Sequence, residues 1–380
     1  MIDDIHREIM MKPMLTTSIA TLMMIAAGSV FAADDHPDSL SQLIEKARHE
    51  APVTVYAPTG KIVRQAKAFT EKYGVKAVGI KAKAPQTIEI FRREAEANNV
   101  KADLAMVEDA PATLAQLIES GYVQSFAPAD LAADIPESEQ SPLVVVGSPN
   151  LLAYNPSKYA HCPVSNLWQL TEPAWRGKVA LQDPAMKPMY LDWFNQLAEH
   201  HDAEMKQAYQ QRYGKTLVTD ETSATAAFAK ALAANNPLLT HSDKKVAGAV
   251  GAPDAKESFI GLMSTAEFRK KKQGYQLSIC HDVSPYIGIK YPTLGFIAKG
   301  THSPNAAKLF MRYLMTKDGI EAQAIDGKLS TNRKVPVPAK EQSGIAQYRS
   351  QLMTYQTASA ASDWEHRQDW QDLWNLSYNQ

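Results

Sequence analysis

The stretch 51–68, APVTVYAPTGKIVRQAKA, constrains the fold more than any other. Val53, Val55 and Tyr56 form a β-favouring run. Pro58, Thr59 and Gly60 turn the chain, and from Lys61 onward Ile62, Val63, Ala66 and Phe69 recur at helical spacing. A strand, a tight turn and a helix in that order aim the first-turn N–H groups of the helix out of the carboxyl edge of a sheet. Those donors have no partner inside the helix, and the helix dipole favours negative charge beside them. The turn reads as one wall of a ligand cleft. An ordinary first βα unit without a ligand is the competing reading.

The alternation continues downstream. Helices are expected over 39–49, 86–98, 110–120, 190–213, 223–235, 305–314 and 319–324. Strands are expected over 75–80, 103–107, 143–147, 151–155, 179–181, 260–263 and 294–298. Trp364, Trp370 and Trp374 stripe a C-terminal helix and read as packing of that helix on a lobe. Strands alternating with helices of about 10–15 residues argue for an α/β fold with a largely parallel sheet.

Residues 14–30 are apolar, follow Lys12, and end at the small-residue pattern Val30-Phe31-Ala32. This is the form of a secretory signal peptide covering 1–32, and the run is short for a membrane span. Export permits a disulfide between Cys162 and Cys280, the only cysteines; free buried thiols are the other option. The 40 basic and 41 acidic residues are interspersed, which gives no footprint for nucleic acid.

Two blocks carry a family resemblance. They are NLWQLTEPAWRGKVALQDP (166–184), just after LLAYNP, and YPTLGFIAKGTHSPNAAKLFMRYLMTKDGIEAQ (291–323). The chain resembles the periplasmic solute-binding proteins of ABC importers, in the branch of the ferric-binding proteins and their sugar-phosphate- and phosphonate-binding relatives. The resemblance covers essentially everything beyond the signal peptide. It implies the bilobal type II fold, two mostly parallel-sheet α/β lobes joined by crossover strands near 144–152 and 283–289. Lobe one is then 33–147 plus 287–380, and lobe two is 148–286. It also implies a periplasmic monomer that closes by hinge motion, a permease in the inner membrane as partner, no cofactor and no covalent chemistry.

The ligand is approached through the residues. Ferric-binding members usually present adjacent tyrosines, and this chain has no adjacent pair; an iron site would have to use Tyr190, Tyr286 and Tyr291. An anion is better supplied. Thr59, Gly60 and Lys61 offer a hydroxyl, an approachable backbone and a charge from one lobe. Lys187, His241, Ser242, Asp243 and Lys244 stand in turns of the other. Phosphate or phosphonate oxygens suit such arrays because they accept several charge-assisted bonds at once. Glu108 and Asp109, after the third strand, suit ligand hydroxyls or an ammonium, or else complement a helix N-terminus. The expectation is therefore an importer receptor for a phosphorylated sugar or organophosphonate. A receptor for ferric iron or an iron chelate is the alternative. A secreted enzyme or sensory-partner protein is the alternative of another class, and the sequence has no catalytic constellation at diagnostic spacing.

Overall fold

The structure, a computed structural model, describes residues 39–378. The expected signal peptide lies outside the described residues. The strands are β1 (Val53–Ala57), β2 (Ala77–Lys81), β3 (Leu104–Val107), β4 (Val123–Gln124), β5 (Val144–Tyr154), β6 (Val179–Gln182), β7 (Leu238–Thr240), β8 (Ile260–Ser264), β9 (Ser278–Ile279), β10 (Gly288–Ala298), β11 (Leu329–Ser330) and β12 (Met353–Thr354). The α-helices are α1 (Leu40–Arg48), α2 (Lys61–Tyr73), α3 (Ala84–Glu96), α4 (Ala110–Thr113), α5 (Met189–His200), α6 (Asp202–Tyr213), α7 (Ala224–Ala234), α8 (Asp243–Gly251), α9 (Pro304–Leu314), α10 (Lys317–Ala324) and α11 (Ala360–Tyr378). Among them no helix is long and apolar enough to cross a membrane.

Strand pairing runs β2-β1-β3-β10-β5-β8-β6-β7 and divides into two lobes on one bridge. In lobe one β1 pairs in parallel with β2 and β3. The apolar stripe of α2 (Ile62, Ala66, Phe69, Tyr73) packs in one core with Phe310 and Tyr313 of α9. In lobe two β6 pairs in parallel with β7 and β8, and Trp168, Trp193, Phe194 and Phe228 fill the core. The bridge is the antiparallel pair β5–β10, in which Gly288 faces Leu151 and Leu294 faces Val144. β3 takes the far end of β10, and β8 takes the far end of β5. This is the bilobal architecture of the type II binding proteins.

Three elements differ from the sequence reading. The strands expected at 143–147 and 151–155 are one strand of 11 residues. Ser148, Pro149 and Asn150 interrupt the apolar run but stay buried inside the bridge. The single helix expected over 190–213 is broken at His201 (φ −139°), whose Nδ1 lies 2.9 Å from the Tyr286 hydroxyl. The last helix, counted with lobe one above, packs on α5 and α7 of lobe two and also meets α4 of lobe one. Trp370 and Trp374 pack against Phe194, whereas Trp364 is exposed. Cys162 and Cys280 form a disulfide within lobe two.

Candidate functional site

The carboxyl ends of the parallel strands converge on one cavity. Thr59 follows β1, Glu108 follows β3, Gln182 ends β6, Asp243 follows β7 and Ser264 ends β8; all five line it. Ligands of open α/β sheets collect at such edges, where connecting loops leave a crevice. Tyr291, on bridge strand β10, also lines it. The cavity holds about 380 Å³, room for a small solute.

Its charges are balanced, and four of its five cations are already in ion pairs. Lys61, Lys83, Lys187, Arg269 and Lys328 face Glu108, Asp109, Asp243, Glu267 and Asp326. Lys187 Nζ donates to Asp243 (2.9 Å) and to Asn150 Oδ1 on β5 (2.6 Å). Burial opposes its charge, but Asp243, with Glu108 behind it, holds the ammonium above the usual lysine range. Lys328 Nζ donates to Glu108 (3.1 Å) and to the Ser148 hydroxyl on β5. Burial works against the Glu108 charge as well; Lys328 and Lys187 outweigh it and keep that carboxyl below its ordinary value. Lys61 pairs with Asp326, yet burial leaves it below the usual lysine range. Arg269, from lobe two, reaches the same Asp326 at 3.7 Å and Glu267 at 3.1 Å. Cations from both lobes thus meet over a bridge whose polar residues anchor two of them.

The structure brings together Thr59, Lys61, Glu108, Asp109, Lys187 and Asp243 in this cavity. Gly60 caps α2 beside it without lining it, and the Lys61 N–H turns back to Thr59 Oγ1 at 3.4 Å. The helix end is therefore a weaker anion cradle than the sequence suggests. Ser242 caps α8 outside the lining, His241 stands exposed with Nδ1 3.1 Å from Met186 Sδ, and Lys244 is exposed. Asp109 accepts from the Ala112 N–H (3.1 Å) and from Arg367 Nη2 (2.6 Å), so it caps α4 as well as facing the cavity.

The three tyrosines stand in separate surroundings, and of them only Tyr291 lines the cavity. Tyr190 is buried and donates to the Leu262 carbonyl at 2.9 Å. Tyr286 sits beside His201. Tyr291 donates to Asp192 at 2.5 Å. Burial raises all three hydroxyls, reinforced by Glu204 at Tyr286 and by Asp192 at Tyr291. No cluster of three or more His, Cys, Asp or Glu residues suited to a metal occurs among the described residues.

Sequence reasoning missed Asp326 and Lys328, which return from the end of α10, and Arg269. Their neighbourhoods carry no local motif; the chain's second crossing, β10, returns Asp326 and Lys328 to the cleft, whereas Arg269 lies on the helical turn that follows β8. Gln182 and Ser264 were accessible in principle, because each ends a strand whose carboxyl edge faces the cavity. Behind the floor lies Asp192, fully buried on α5. Burial pushes it up to about 7 against the pull of Arg367.

A two-lobed α/β molecule with a solute-sized cavity over a two-strand bridge has the architecture of a solute-binding protein. Residues 53–327 match the family described as bacterial extracellular solute-binding protein, and the chain belongs to that family, the periplasmic receptors of ABC importers. No curated protein is significantly similar in sequence. Solved structures with the same fold include iron-bound HitA from Pseudomonas aeruginosa, at 15% identity and TM-score 0.62. The Trichodesmium protein solved with iron and citrate follows at 17% and 0.59. AfuA from Actinobacillus pleuropneumoniae, with fructose-6-phosphate bound, stands at 20% and 0.58. Each match covers 86% of this chain and 99% of the other.

Proposed function

We propose that this receptor captures a small solute bearing a phosphate or phosphonate, together with hydroxyl or ammonium groups, and hands it to a membrane permease. The observation that carries the reading is the convergence of Lys61 and Lys328 from one lobe with Lys187 and Arg269 from the other on one cavity. Each cation now holds a carboxylate. An anionic ligand takes over donors from those internal pairs, and the released carboxylates face its hydroxyls or ammonium. Contacts from both lobes then favour the closed form, which the permease reads.

Ferric iron is the second reading, favoured by the iron-bound relatives of the same fold. With the three tyrosines committed elsewhere, iron suits this cleft best as an anionic chelate, which would use the same cations. Calorimetry with fructose-6-phosphate, 2-aminoethylphosphonate, ferric citrate and neutral fructose separates the cases. Heat from a phosphorylated compound and none from fructose is expected. Binding of ferric citrate alone gives the second reading. A coloured complex with uncomplexed ferric iron overturns both the phosphorylated-solute reading and the assignment of the tyrosines.

A further inference from the structure

A densely bonded polar cluster lies behind the cleft, outside its lining cations. Arg367, on α11, forms a fork between two carboxylates. Its Nε and Nη2 donate to Asp192 Oδ1 (2.7 Å) and Oδ2 (2.8 Å) on α5 of lobe two. The same Nη2 donates to Asp109 Oδ1 (2.6 Å), just past β3 of lobe one. Tyr291 of the bridge donates to Asp192 Oδ2. One guanidinium thus joins lobe one, lobe two and, through Asp192, the bridge.

The mount is rigid. One turn before Arg367, Asp363 accepts from Asn195 Nδ2 and Gln196 Nε2, both at 2.9 Å, and from the Tyr355 hydroxyl. Nearly one turn after it, the Trp370 indole N–H donates to Asn195 Oδ1 at 2.9 Å. Residues 363, 367, 370 and 374 share one helix face, which seals α11 to α5. Arg367 is therefore fixed relative to lobe two, whereas Asp109 moves with lobe one. Any change in the angle between lobes must carry this contact along or break it. A planar fork suits the task, since a lysine ammonium cannot reproduce its paired bonds.

We propose that Arg367 is a positioning residue of the solute cleft: through Asp109 and Asp192 it sets the Asp109 carboxylate at the cavity wall and couples the C-terminal helix to the resting angle between the lobes. The proposal does not depend on which solute the cleft takes. Buried ion pairs often add little net stability and act instead by fixing an arrangement.

The test reads the interlobe distance in the ligand-free full chain. Spin labels on V78C of β2 and L238C of β7, both exposed, report the separation by pulsed dipolar spectroscopy. R367Q is expected to lengthen and broaden the distance distribution, and R367K to fall between R367Q and the native chain. D109N keeps the Oδ1 that accepts from both the Ala112 N–H and Arg367 Nη2 but removes its charge, and leaves Arg367 on Asp192, so it weakens the interlobe arm alone and is expected to shift the distribution in the same direction as R367Q, by less. Should R367Q fail to fold, D109N decides. A lowered melting temperature with an unchanged distance distribution in the folded variants would overturn the proposal, because that is the signature of simple helix anchoring.

Discussion

At the scale of single residues, the cleft separates lysines that look alike in the sequence. Lys187 and Lys244 both stand in polar turns, and nothing local ranks one above the other. The difference is made 37 positions upstream, where Asn150 on β5 accepts from Lys187 at 2.6 Å and draws the side chain into the cavity. Lys244 has no such anchor and stays exposed. Lys187→Met is therefore expected to weaken binding of a phosphorylated solute by roughly tenfold to a hundredfold. That is the scale of one lost charge-assisted bond, about 1.5–3 kcal/mol. Lys244→Ala is expected to leave affinity unchanged in the same titration. Equal losses from the two would mean that the cavity is not where the anion sits. Thr59, Lys61 and Glu108 were legible for a different reason: each lies within four residues of the end of a strand whose carboxyl edge the alternating pattern had already located, whereas Asp243 was read only from its polar turn. Asp109 was legible only as far as its two open roles. The structure gives it the helix cap, and adds an arginine from 258 residues away that no local pattern announces.

At the scale of elements, the βα alternation could be read because helices such as α2 and α9 carry their own apolar stripes. The bridge strands could not be read whole. Ser148, Pro149 and Asn150 look like a loop until it is known that their polar atoms serve the cleft and the partner strand. The C-terminal helix was legible as a helix, but not its partner lobe, since a tryptophan stripe names no surface. Its attachment gives a pH prediction. Burial pushes Asp363 up to about 6, outweighing the bonds from Tyr355, Asn195 and Gln196. An unfolded aspartate ionises near pH 4. Between those values the native state holds a proton that the unfolded chain has released, so the stabilisation is complete below about pH 4 and is lost as pH rises through about 6. Asp363→Asn has no such proton. Thermal melts at pH 4.5 and 7.5 should show the native chain losing stability relative to D363N at the higher pH. A difference that does not change with pH would place the carboxyl's ordinary ionisation inside the folded protein.

At the scale of the whole molecule, function requires two lobes that approach closely and can part. Gly327 marks one point of approach. It lies between the cavity residues Asp326 and Lys328 with φ +83°, and an added Cβ would sit 2.7 Å from Cβ and Oγ1 of Thr265, which follows β8 in lobe two. Gly327→Ala therefore imposes two penalties: a left-handed backbone that alanine resists, and a wedge between the lobes. Gly214 separates them, because it shares the left-handed conformation (φ +68°) but has nothing within 4 Å of the added atom. Gly214→Ala should lower the melting temperature and leave solute affinity and the radius of gyration as they are. Gly327→Ala should also weaken binding by roughly fivefold to a hundredfold, from about 1–3 kcal/mol of strain at this interlobe contact, and enlarge the radius of gyration measured with solute present. If the two variants behave alike, the contact at Thr265 yields without cost, and closure must be governed by the bridge and the Arg367 fork instead.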